Sequence, residues 1–211
     1  MGNGHPRGLA TLFFTEMWER LGFYLMLGIL YLYIIDNERG GLGMSAGQAG
    51  EIYGTYLAFV YFTPFLGGMI ADRFLGFRLS VFIGGIMMAA GYFCLAVPAL
   101  TTFFAGLVLL CLGNGLFKPN ISAMVGNLYE PGDRKRDAGF NIFYMGINIG
   151  ASLSAIVAAP LRNLWSFNHA FAAAGVGLVI AVIWLVVNWR KLAAADKRSE
   201  AGTDEMGFGR I

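Results

Sequence analysis

Glu16, Glu19 and Arg20 interrupt an otherwise apolar run over residues 9–35. Their spacings of three and four residues stack them on one helical face, with Tyr24 one turn further along. Charge is costly inside a membrane, so such residues face a protein interior or an aqueous cavity, pair with one another, and often mark the path of an ion or substrate. A carboxylate beside an arginine in that setting suits reversible proton binding, because burial and the neighbouring cation push its proton affinity in opposite directions. Lys118 is the second intramembrane charge, in the run Gly113-Asn114-Gly115-Leu116-Phe117-Lys118-Pro119-Asn120. The formal charges of Glu16, Glu19, Arg20 and Lys118 cancel, which a buried network requires if pairing is to offset desolvation. A structural ion-pair cluster is the plainer alternative to a proton site. The Gly-x-Gly-x-x-Lys spacing is no phosphate loop, since no strand precedes it, and Pro119 is expected to kink its helix and free a carbonyl beside the lysine.

The elements that position these charges are membrane spans. Of 211 residues, 57% are hydrophobic and 13% charged, and the mean hydropathy is +0.61, far from an ordinary soluble domain. Apolar stretches near bilayer length cover residues 9–35, 49–71, 79–97, 102–125, 139–161 and 169–189, which predicts an all-α membrane protein of six transmembrane helices. Breakers separate them at Gly40-Gly41, Pro98, Pro131-Gly132 and around Arg162-Asn163. Lysine and arginine set the orientation. Arg7, Arg73, Arg78, Arg134, Lys135, Arg136, Arg190, Lys191, Lys197, Arg198 and Arg210 fall on one side and only Arg39 and Arg162 on the other, so both termini are expected in the cytoplasm of a multi-pass protein of the cell membrane. The first span carries no removable leader pattern and is expected to be retained. Residues 1–190 form the predicted bundle, and 191–211 a polar, solvated cytoplasmic tail or the start of a linker. Many of the 30 glycines are expected at helix contacts, including Gly50-x-x-x-Gly54 and Gly146-x-x-x-Gly150.

Further chemistry is thin. Cys94 and Cys111 sit in apolar segments and read as packed thiols. His5 and His169 lie near span ends, Trp18, Trp165, Trp184 and Trp189 fit interfacial belts, and Tyr53 and Tyr56 read as a packing stripe. There is no nucleophile–base pair and no metal-ligand cluster by spacing, so neither an enzyme nor a metal site is expected. A net charge of +2, dispersed, argues against nucleic acid as a partner.

The run Gly68-Met69-Ile70-Ala71-Asp72-Arg73-Phe74-Leu75-Gly76-Phe77-Arg78 resembles the cytoplasmic loop motif of the major facilitator superfamily. Asp72, Arg73 and Arg78 would there form a charge latch that breaks and reforms as helices rock. Three further runs narrow the resemblance: Glu16-Met17-Trp18-Glu19-Arg20 with Tyr24, Lys118-Pro119-Asn120, and Phe143-Tyr144-Met145-Gly146-Ile147-Asn148-Ile149-Gly150. Together they are similar to the first-, fourth- and fifth-helix motifs of proton-dependent oligopeptide transporters. The resemblance implies that Glu16, Glu19 and Arg20 couple protons, that Lys118 engages a peptide carboxylate, and that Tyr24, Tyr61 and Asn148 line the peptide cavity. It also implies two three-helix repeats of inverted topology, and a full transporter of two six-helix halves that rock about a site between them. By the same resemblance the chain is expected to correspond to the N-terminal half, with the lipid bilayer, a small peptide and a missing C-terminal half as partners and the proton as coupling ion, without a cofactor. Leu27 stands where many members carry a cavity arginine. Proton-coupled symport of di- and tripeptides is the expected function; symport of nitrate or another small anion, or a non-transporting membrane subunit, are the alternatives.

Overall fold

A computed structural model describes residues 4–197 and contains six long helices: α1 (Arg7–Ile35), α2 (Ala46–Ile70), α3 (Phe77–Leu95), α4 (Leu100–Asn127), α5 (Lys135–Leu164) and α6 (Phe167–Val187). All six are long and apolar enough to cross a membrane. The expected spans reappear with ends shifted by a few residues. Local chemistry sets those ends. Ser45 and Gln48 form a reciprocal capping box at the start of α2, and the Ser166 hydroxyl caps α6 by accepting from the His169 backbone at 3.3 Å. A π-helical turn, Ala71–Leu75, follows α2 and stops at Gly76, whose φ of 78° suits glycine and reverses the chain into α3. Pro64, Pro119 and Pro160 lie inside helices that run through them unbroken.

The helices pack in a self-similar pattern. α1 lies against α5 and α6, α4 against α2 and α3, and α3 against α6. Exchanging α1–α3 with α4–α6 reproduces the same set of contacts, the packing of two three-helix repeats. Three crossings per repeat leave the second starting from the opposite side, so the repeats run inverted. Buried Leu25, Met26, Leu30, Tyr33, Phe103, Phe117 and Phe171 fill the centre. There the Tyr33 ring meets Phe103, Phe167 and Phe171 with centroids 5.8, 5.5 and 5.2 Å apart. α2 and α5 turn large apolar side chains outward, including Phe59, Tyr61, Phe62 and Phe65 on α2 and Tyr144, Met145 and Ile156 on α5.

Glycine makes the closest approaches, though not everywhere the spacing suggests. A Cβ on Gly146 would meet Phe13 at 3.0 Å, and one on Gly150 would strike the Met17 carbonyl and come within 3.1 Å of the Arg20 Cβ, so this pair does seat α5 on α1. Gly50 and Gly54 face open space instead. The α3–α4 contact relies on Gly84, Gly91, Gly106 and Gly113; a Cβ on Gly113 would lie 2.6 Å from Met88 Cγ and 2.7 Å from the Gly84 carbonyl.

Three other expectations need correction. Arg162 and Asn163 belong to the last turn of α5, because the helix continues to Leu164 before the chain turns at Trp165. Trp18 sits in the middle of α1, where its ring packs over Gly177 of α6, rather than in an interfacial belt. The polar segment from Lys191 is not solvated at its start. Trp189–Ala195 forms a short 3-10 helix that buries Leu192 and Ala195 against the bundle, and Asn127 Nδ2 donates to the carbonyls of Ala195 and Lys197 at 3.2 and 3.0 Å. Residues 198–211 lie outside the described part.

Replacing Gly113 with Ala inserts a methyl group into a filled contact and should destabilise the bundle by about 1–3 kcal/mol. Gly54→Ala, on an open helix face, should cost nothing and can gain up to about 1 kcal/mol from helix propensity. Thermal unfolding of the two purified variants checks the contrast.

Candidate functional site

α1 and α4 hold the charges that the sequence singles out, and they meet across the middle of the bundle. Lys118 Nζ donates to Glu16 Oε1 at 2.6 Å. The same carboxylate oxygen is 3.4 Å from Arg20 Nε, one helical turn along α1. Arg20 is turned toward Glu19, giving it Nε and, at 2.7 Å, Nη2 in a paired contact. Its guanidinium carbon also lies 4.6 Å from the centroid of the Phe23 ring. Glu16 and Glu19 are fully buried and Arg20 nearly so. The side chain of Lys118 keeps 32% of its surface open, which makes it the most exposed member of the network. Glu16 Oε2 is buried and accepts no hydrogen bond among the described residues, which leaves one carboxylate oxygen free to take a proton.

Polar groups on α2 and α4 hold this arrangement in register. Asn114 Nδ2 donates to the Val60 carbonyl at 3.0 Å, the Thr63 hydroxyl to the Cys111 carbonyl at 2.8 Å, and Asn120 Nδ2 to the Gly67 carbonyl at 3.4 Å. Each buried amide or hydroxyl is thereby satisfied. Sequence spacing did not reveal these residues, because a lone Asn or Thr in a span has no signature until its neighbour is known. Tyr92 of α3 is fully buried with its hydroxyl unpartnered among the described residues, and its ring lies 3.4 Å from where a Cβ on Gly22 would sit, against the α1 face that carries Glu19.

The remaining expected site residues are spread more widely. Tyr24 is partly exposed, its ring edge-on to Phe23 with centroids 5.3 Å apart, and it borders a crevice of about 370 Å³ between α1 and α5. Tyr61 on α2 is 79% exposed. Asn148 on α5 is also exposed, and no hydrogen bond joins either of them to the network among the described residues. Leu27 packs against the core and leaves no cation at that turn of α1.

The expected pairing within the loop motif is not formed. Asp72 and Arg73 are exposed on the π-helical turn, and neither makes an ion pair among the described residues. Arg78, carried past the Gly76 reversal onto the first turn of α3, instead grips Asp196 beyond α6. Its backbone N–H and its Nε donate to the two oxygens of that carboxylate at 3.0 and 2.7 Å, and its guanidinium lies 5.1 Å from the Trp189 ring centroid. Asp196 has no sequence signal, because its position depends on the 3-10 turn before it.

The model of the POT family matches residues 78–203. The chain belongs to the POT family. It is 43% identical over 190 residues to the uncharacterized transporter YclF of Bacillus subtilis (strain 168), covering 89% of this chain and 39% of that protein. It is also 43% identical over 183 residues to a di-/tripeptide transporter of Lactococcus lactis subsp. lactis (strain IL1403), covering 85% of this chain and 37% of that one. Among solved structures it resembles the peptide transporter POT in complex with sulfate, at 41% identity and a TM-score of 0.89, over 96% of this chain and 43% of that one. A POT family transporter in complex with a thioalcohol-conjugated peptide matches at 38% identity and a TM-score of 0.87, over 90% and 40% of the two chains. The chain thus spans about two-fifths of the length of these POT relatives.

The Glu16–Lys118 pair sits in a POT bundle with no other carboxylate on that lysine among the described residues. Lys118→Ala therefore leaves a buried negative charge and should cost about 2–3 kcal/mol, below the 3–5 typical of a fully buried pair because Lys118 is partly open. Glu16→Gln combined with Lys118→Met should recover most of that loss. Melting curves of wild type, both single variants and the double variant in detergent give the coupling directly.

Proposed function

We propose that the complete protein of which this chain forms the N-terminal part is a proton-coupled symporter of di- and tripeptides in the cell membrane, with both termini of this part in the cytoplasm. The pairing of Glu16 with the half-open Lys118 is the observation that carries the reading. A peptide carboxylate entering from the open side competes with Glu16 for the lysine. Protonation of Glu16 at its free oxygen removes the competitor and leaves the four-residue network with one net positive charge, which the incoming carboxylate neutralises. Proton and peptide then favour one another's binding, and by linkage the favour is reciprocal. Glu19 and Arg20 hold a second, self-neutralising pair beside the first.

Tyr24, Tyr61 and Asn148 would complete a peptide site from helices that turn toward a second six-helix half, and alternating access would be the rocking of the two halves. The outward apolar faces of α2 and α5 are consistent with a partner bundle or with lipid along their length. Exposed Asp72 and Arg73 remain available as a latch to that second half, while Arg78 is committed within this one. Peptide transport is preferred to transport of nitrate or another small anion because the Lactococcus relative is named a di-/tripeptide transporter. No cofactor enters the scheme, and nothing in it calls for an enzymatic step.

The test is uptake of labelled dialanine into proteoliposomes containing the full-length transporter under an inward proton gradient. Lys118→Ala should lower proton-driven uptake by at least about tenfold, the loss of one charge-assisted hydrogen bond. Uptake equal to that of wild type would remove Lys118 from the mechanism.

A further inference from the structure

α1 and α5 touch closely only along part of their length. At Gly146 and Gly150 they pack backbone to side chain, against Phe13, Met17 and Arg20. One turn beyond Tyr24 the α1 wall drops to Gly28, with Ile29 and Leu32 beside it, and the facing residues of α5 are small. Gly28 has nothing within 4 Å of where a Cβ would be, and α5 offers Ala151, Ala155 and Ala158. The result is the crevice of about 370 Å³ that begins at Tyr24, passes buried Ser154, and ends at Arg162.

Arg162 is an unusual wall for such a space. It is half-buried, and no carboxylate lies within ion-pair distance of it among the described residues. Its Nε and Nη2 donate to Asn163 Oδ1 at 3.0 and 2.8 Å, which orients the guanidinium without neutralising it. A cation held by a neutral neighbour keeps donors for an outside anion, and a planar guanidinium matches a carboxylate with two parallel hydrogen bonds. The volume lies within the range of small-molecule sites, and the Tyr24 ring and phenol at the other end offer an apolar face with a polar tip.

We infer that the α1–α5 crevice is a capture site for the carboxylate end of a small solute, with Arg162 as the residue that recognises the anion and Tyr24 as the opposite wall. The inference rests on the transport reading for its solute, a short peptide with a free C-terminus. It adds a site distinct from Lys118, nearer the end of α5 at Leu164, where a solute is bound before it reaches the central pair.

The test measures uptake of a free-acid dipeptide and of the same dipeptide with an amidated C-terminus by the full-length transporter. Arg162→Gln should raise KM for the free acid about tenfold with little change in kcat. Arg162→Lys, which keeps the charge but loses the paired hydrogen-bond geometry, should give a smaller rise than Arg162→Gln, and the amide should be indifferent to both changes. Ala155→Leu, which fills the crevice without touching the charge, should raise KM in the same way and decides the matter if Arg162→Gln does not reach the membrane. An unchanged KM in Arg162→Gln, or an equal rise for acid and amide, would overturn the inference. If wild type moves neither dipeptide, the transport reading fails instead. Thermal stabilisation of the purified transporter by N-acetylalanine then decides the site: stabilisation lost in Arg162→Gln supports it, and stabilisation equal in the two proteins, or absent from wild type, overturns it.

Discussion

Four charges buried in an apolar bundle must cancel one another where they stand, and the arrangement of the helices follows from that requirement. Glu16 and Glu19 are shut away from solvent, so each needs a cation within hydrogen-bonding reach. Arg20 serves Glu19 from the same helix. Glu16 is served from α4, and the 2.6 Å contact with Lys118 therefore fixes how α1 and α4 face each other. The glycines on α3 and α4 and the side-chain hydrogen bonds between α2 and α4 seat α4 closely against its two neighbours.

The same requirement makes the pair responsive. A salt bridge that is enclosed on both sides is inert, whereas this one has an enclosed carboxylate and a lysine with a third of its surface open. Any event that neutralises Glu16 releases a positive charge toward the open side, and any anion arriving there competes with Glu16. In the proposed mechanism, binding of a proton and binding of an anion are two ways of resolving one imbalance. The inverted three-helix repeats suit such a site, because α1 and α4 occupy equivalent places in their repeats and each contributes one half of the pair.

Much of this was legible in the sequence because charge inside a twenty-residue apolar run admits few explanations. Glu16, Glu19, Arg20 and Lys118 were identifiable from hydropathy alone, and their zero sum anticipated their meeting. Spacing was a poorer guide to packing. Gly50 and Gly54 carry the same small-residue pattern as Gly146 and Gly150, yet only the second pair faces another helix, since the pattern does not tell which side of the helix is covered. The partner of Arg78 was hidden because Asp196 lies in a stretch that looks solvated until the 3-10 turn folds it back. Arg162 was assigned to a connection because its charge ends the apolar window, although the helix itself continues past it. The roles of Tyr61 and Asn148 rest on the family resemblance, as both side chains stand exposed on this bundle.

The claim that one ion pair links proton and peptide is tested most directly by the dissociation constant of a dipeptide, measured by calorimetry on the full-length transporter across a range of pH. In wild type, affinity should rise as pH falls, because protonation of Glu16 frees Lys118 for the peptide carboxylate. Glu16→Gln should bind with nearly the same affinity at every pH, at the level wild type reaches when acidified. A Glu16→Gln protein whose affinity follows pH as steeply as wild type would contradict the account.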